Sequence, residues 1–177
     1  MPFLIILVAV VAIVAVWAIS TSNNFKVAKI KVDESRSGIE VALTKRYDML
    51  TKQLDVAKSF MQHEKDFVAE VIHLRKGMTV GEMNEASAKM DKMADRINFT
   101  AEAYPQLRSS DLFVQLQVGI RDAEEHLQAA RRAYNSNVTR FNTMITVFPS
   151  SLLAKNYTKE DFFEAEAHKK ADVDMKF

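Results

Sequence analysis

Four glycines and three prolines in 177 residues leave the chain short of the residues that reverse direction. Sandwiches and barrels need a turn signal every 8–12 residues or so, so long helices are the expected outcome. The apolar spacing agrees. Ile39, Leu43, Leu50, Leu54, Ala57, Met61, Val68 and Val71 recur at steps of three, four or seven, which makes one stripe on a helix of about residues 25–76. Lys76-Gly77 is a stop signal, and Thr79 with Glu82 has the spacing of a capping box that opens a second helix, about 79–104. Met83, Ala86, Met90, Met93, Ile97, Ala101 and Tyr104 line its inner face, and Pro105 ends it. A third helix, about 110–148, follows Ser109 or Ser110. Phe113, Leu116, Ile120, Ala123, Leu127, Ala130 and Tyr134 set its stripe. A four-residue step to Val138, then Phe141, Ile145 and Phe148, keeps the stripe apolar and leaves Asn137 at its edge. Shorter helices are expected over 151–170, and the alternation of Val173, Met175 and Phe177 reads as an extended tail on an apolar surface. Short connections predict an antiparallel up-and-down helical bundle.

Residues 1–24 contain no charged side chain, and Phe3–Ile19 is an unbroken apolar run. As a helix, at about 1.5 Å per residue, the run spans roughly 25 Å, near the low end of what crosses a bilayer. Trp17 stands at its exit, where an indole suits the headgroup layer. The chain therefore divides into an N-terminal transmembrane anchor, 1–24, and an all-α body, 25–177. Cleavage as a signal peptide near Ser20 is the alternative, since Ala18-Ile19-Ser20 is a small-x-small sequence. Against it, no Lys or Arg precedes the run, and the run exceeds the usual apolar region of about 7–15 residues. Lys26, Lys29 and Lys31 follow the span before the first acid, Asp33, which predicts a cytoplasmic body and an N-terminus outside.

Little here points to catalysis. Twenty-four basic and 23 acidic side chains give a net charge of +1, with no bulk attraction for nucleic acid. The absence of cysteine removes disulfides, thiolate metal sites and cysteine nucleophiles. Glu70 and His73 form one Glu-x-x-His step. Di-iron bundles need two such steps and two further glutamates, so a metal enzyme using this pair is the alternative function rather than the leading one. His63-Glu64 lacks the second histidine of a zinc-protease helix, because position 67 is Phe. The methionines follow the core stripe and read as packing. No phosphate loop or nucleophile elbow occurs. No cofactor, metal ligand or catalytic residue is expected.

One phrase repeats: Tyr134-Asn135 is followed seven residues later by Phe141-Asn142, and the run halts at Phe148-Pro149-Ser150. Together with Ala101-Glu102-Ala103-Tyr104-Pro105, Phe113, Leu116, Gln117, Glu124, Arg131 and Val138, this stretch resembles the signature of the LemA family of bacterial membrane proteins. "LTKRYDML" at 43–50, which contains Arg46 and Asp48, also looks like that family, as do His63-Glu64 and Phe163-Glu164. The chain departs from many relatives in lacking a proline after Asp48 and a glycine turn at 154–161. The resemblance implies a membrane anchor and a soluble four-helix bundle, and brings no catalytic residues with it. The expected role is a membrane-anchored, non-enzymatic scaffold or adaptor. Its partners would be the lipid bilayer, through Phe3–Ile19, membrane-associated proteins and, as a homo-oligomer, other copies of itself. Asn135 and Asn142, beside the aromatic knobs, are expected to hydrogen-bond across to Arg46 and Asp48 and so to fix helix register.

Overall fold

A computed structural model describes residues 1–60 and 72–164, and every described element is helical. Helix α1 runs without interruption over Pro2–Phe60, so the apolar span and the first helix of the body are one rod. Nothing between Pro2 and Gly38 breaks it. Residues 1–16 are exposed throughout, and burial starts in earnest at Phe25, followed by Ala28, Val32, Ile39, Leu43, Leu50, Leu54 and Ala57.

The expected continuation of this helix to residue 76 does not occur: Ile72–Arg75 are not helical. Geometry forbids it. Gly77 N–H donates to the Glu40 carboxylate at 3.0 Å, whereas an unbroken helix would carry residue 75 about 50 Å past Glu40. Met61, Val68 and Val71, expected in the stripe, lie outside the described residues. Gly77 itself has φ +77°, the left-handed conformation that favours glycine at a chain reversal.

Helix α2, Val80–Ala103, opens on the capping box that the sequence predicts. Glu82 N–H donates to Thr79 Oγ1 (3.2 Å) and Thr79 N–H donates to the Glu82 carboxylate (2.7 Å), so two orphan donors of the first turn are satisfied. Arg75 adds a 2.6 Å contact to the same carboxylate. The Thr79 backbone donor, then the Arg75 and Thr79 side chains, hold the Glu82 pKa below the ordinary glutamate range. Tyr104 caps the C-terminal end, and Pro105 opens the single-turn helix α3, Pro105–Arg108. Helix α4, Asp111–Thr146, follows Ser110. It buries Phe113, Ala123, Leu127, Tyr134, Val138, Phe141 and Ile145, with Leu116, Ile120 and Ala130 half-buried.

Two corrections fall beyond α4. Phe148, expected as the last core knob, is 76% exposed, because the helix stops at Thr146 and the stripe loses its face there. Of the helices expected over 151–170, the described part shows a 3-10 turn, Ser150–Leu153, and irregular backbone over 154–164; residues 165–170 lie outside the described residues. Val173, Met175 and Phe177 lie outside the described residues.

The chain forms two compact units. The first comprises Met1–Ser35 and Ala133–Phe162. In it α1 and α4 run in opposite directions, joined where Asn137 Nδ2 donates to the Lys31 carbonyl (3.3 Å). The Tyr157 ring lies edge-on between Phe25 (5.3 Å) and Phe141 (5.9 Å). The second comprises Arg36–Arg132 and Phe163–Phe177. There Glu40 meets Gly77 and Arg46 meets Asp91, so α1 and α2 point the same way. Met49 lies against Gly119 and Arg46 against Glu124, so α4 points the other way. The expected antiparallel pairing of α2 with α1 therefore does not hold, whereas α4 does run antiparallel to α1.

Candidate functional site

The second unit is organised around one buried cation. Arg46, 5% exposed on α1, reaches Asp91 and Ser87 of α2 and Glu124 of α4. Its guanidinium contacts the Asp91 carboxylate through Nη2, Ser87 Oγ at 3.4 Å through Nη1, and the Glu124 carboxylate at 3.0 Å through Nε. The Glu124 contact is an ion pair whose angle falls outside hydrogen-bonding geometry. A planar, permanently charged fork suits a point where three helices converge, because each edge addresses a different helix. Both carboxylates are only partly covered.

The first unit is organised around a strip of irregular backbone. Asn142 Nδ2 donates to the Glu160 carbonyl and Asn142 Oδ1 accepts from Glu160 N–H, both at 2.9 Å. One amide thus satisfies both backbone groups of one residue, as a neighbouring strand would. About two turns earlier on the same helix, the buried Tyr134 donates its hydroxyl to the Asp161 carbonyl at 2.9 Å. Lys29 of α1 bridges Asp33 and Glu160. Tyr157, wedged between Phe25 and Phe141, anchors the near end of the strip. In the second unit the strip continues with Phe163 buried. Glu164 N–H donates to Asn84 (3.3 Å), and the Glu164 carbonyl accepts from Arg131 (3.5 Å).

Among the described residues no three His, Asp or Glu side chains are placed to share a metal ion. His73 is exposed and outside any helix, so the helical Glu-x-x-His step does not hold at that end, and Glu70 lies outside the described residues. Gln53 is buried with its Nε2 lacking a hydrogen-bond partner, beside an open cavity of about 260 Å³ lined by Asn98, Gln117 and Arg121. A space of that size and polarity holds water.

A model of the LemA family matches residues 35–177, most of the chain. The chain belongs to the LemA family. Protein LemA from Metamycoplasma hominis is 22% identical over 179 aligned residues, covering 97% of this chain and 82% of that protein. The apolar run Phe3–Ile19 precedes the matched stretch.

Within this LemA-family chain, the residues that carry the resemblance separate into three groups. Arg46 and Glu124 form the three-helix cluster, while Tyr134, Phe141, Asn142 and Arg131 hold the strip 154–164. Tyr104 and Pro105 make the corner between α2 and α3, and Phe148 and Pro149, joined by a cis peptide, make the corner after α4. The partner expected for Asn142 changes: it binds the backbone of Glu160 instead of Arg46 or Asp48. Asn135 is half-buried, and its main-chain carbonyl accepts from Thr139 Oγ1 at 2.9 Å. Asp48 is exposed and lines a concavity with Lys45, Lys52 and Arg75. Asn84 was missed by sequence reasoning; a polar residue on the half-covered face of α2 was the one available signal.

Proposed function

We propose that this protein is a non-enzymatic membrane-anchored interaction module, in which α1 crosses the bilayer and carries a helical body for association with other membrane proteins. The observation that carries the reading is the continuity of α1. One 59-residue helix is fully exposed and apolar over its first fifteen residues and then packs in the same unit from Phe25 on. No flexible tether separates the apolar run from the packed helix, as suits an anchored interaction module. Membership of the LemA family and a relative of bacterial origin are consistent with it. Lys26, Lys29 and Lys31 support a cytoplasmic body with the N-terminus outside.

Crosslinking in intact membranes, followed by affinity purification of the full chain, tests the reading. A reproducible set of membrane-protein partners is expected, and none under several crosslinker chemistries sinks the scaffold role. Protease protection in cells and inverted vesicles fixes the orientation. Intact mass of the native protein distinguishes an anchor from a signal peptide cut near Ser20. Elemental analysis of protein purified without chelators tests the alternative metal enzyme, since a stoichiometric metal would revive the Glu70/His73 reading.

A further inference from the structure

The turn after α4 exposes an apolar cluster: Val147 (52%), Phe148 (76%) and Leu152 (62%), with Leu153 beside them. Patches of this kind on a folded surface mark contact sites. Its place in the fold says what it contacts. Asn137 is level with Lys31, and α4 runs opposite to α1. Counting back along both helices at about 1.5 Å per residue puts Phe148 level with about Ser20, one residue past the apolar run. Burial supports the same level. Trp17, Ala18, Thr21 and Ser22 share one face of α1 and are the first residues of the chain to be half-buried.

Trp17, at the exit of the apolar run, suits the headgroup layer, so this level of α1 belongs to the membrane interface. Whatever packs at that level lies at the membrane interface. The charges agree. From Ser20 to Val32, and from Ala133 to Lys159, there is no Asp or Glu; Lys29 is held by Asp33 and Glu160, and Lys26, Lys31, Arg140, Lys155 and Lys159 are the cations left for headgroups.

We propose that the turn after α4 is a second membrane contact. Val147, Phe148, Leu152 and Leu153 dip into the interfacial layer of the bilayer that α1 crosses, and the cations around them meet anionic lipid headgroups. This rests on reading Phe3–Ile19 as a bilayer span. An apolar edge with a cationic rim is how interfacial elements bind, with the apolar part about 5–10 Å below the headgroups. Two points of attachment would stop the body from rotating about α1.

The chain has no cysteine, so single-cysteine variants of the full protein report position cleanly. Val147→Cys, Leu152→Cys, Val10→Cys and Asp95→Cys would carry an environment-sensitive fluorophore in vesicles of phosphatidylcholine with phosphatidylglycerol. Labels at 147 and 152 should be quenched by lipids carrying a quencher high on the acyl chain. The label at 10 should respond to a quencher deep in the chain, and that at 95 to aqueous iodide alone. Iodide-accessible labels at 147 and 152 beside a lipid-quenched label at 10 overturn the second contact and leave the anchor standing. An aqueous label at 10 removes the anchor and this inference together. Labels at 147 and 152 shielded from iodide but untouched by lipid quenchers mean that protein covers the turn, which also overturns the proposal. In the Leu152→Cys background, Lys155→Gln with Lys159→Gln should lower the ratio of immersed to free turn in anionic vesicles by about five-fold per charge. An unchanged ratio rejects the headgroup contact.

Discussion

Arg46 and Asn142 are both polar residues set among apolar stripes, and they do opposite things. Arg46 sits among side chains: two carboxylates and a hydroxyl, brought by α2 and α4. Asn142 sits against main chain, pairing with the N–H and C=O of Glu160. The first fixes how three helices meet. The second supplies hydrogen bonds to a strip that has no helix or sheet of its own to supply them. Polarity in a helical seam is therefore not one device here, and the expectation that both amides of the repeated phrase mark register does not hold for Asn142.

Several substitutions would break or sharpen that contrast. The largest effect is expected from Arg46→Ala, which leaves Asp91 and Glu124 facing each other. Losing one member of a buried charge cluster costs about 3–5 kcal/mol. Partial exposure of both acids puts this case near about 3 kcal/mol, measured by urea unfolding of the full chain in detergent. A loss under about 1 kcal/mol would mean that the cluster behaves as an ordinary surface pair. Asn142→Leu removes two hydrogen bonds to backbone and should cost about 2 kcal/mol. Hydrogen exchange should show amides 154–164 opening while those of α1 and α4 stay protected. If the helices loosen instead, Asn142 sets register after all.

Tyr134→Phe keeps the buried ring and deletes one bond to Asp161, so about 1 kcal/mol is expected, with faster exchange confined to the same strip. Glu82→Gln acts through pH. The folded-state pKa of Glu82 is depressed, so its contribution is present above the ordinary glutamate range and disappears as pH falls through the lower folded value. The variant should be slightly less stable than the parent near neutrality and converge on it in acid, giving a shallower acid limb. An identical acid limb would remove Glu82 from the acid response. Phe148→Ser in detergent should lie within about 0.5 kcal/mol of the parent, as for an exposed position away from caps and core. A larger loss would place Phe148 in the packing that its spacing predicted.

What local chemistry could specify was legible before any coordinates. The capping box at Thr79 and Glu82, the stop at Pro105 and the four-residue step to Val138 all depend on residues within a turn or two of each other. The misreadings share a different cause. Phe148 fits the stripe, but a stripe has a face only while the helix lasts, and this one ends two residues earlier. Residues 151–164 contain strong helix formers, yet the backbone at 160–161 is bound by Asn142 and Tyr134 from a helix already formed.

The sequence by itself determined that this chain is helical, that its first residues are apolar without relief, and where its caps and corners lie. Spacing alone carries those facts. Only the tertiary structure decided that the apolar run and the packed residues after it share one helix, that α2 runs with α1, and that Arg46 joins three helices. It also decided that the amide of Asn142 ends on Glu160. The reason is physical: a backbone N–H or C=O is the same in every residue, so a partner made of main chain has no sequence signature. It becomes visible only when folding brings it within about 3 Å.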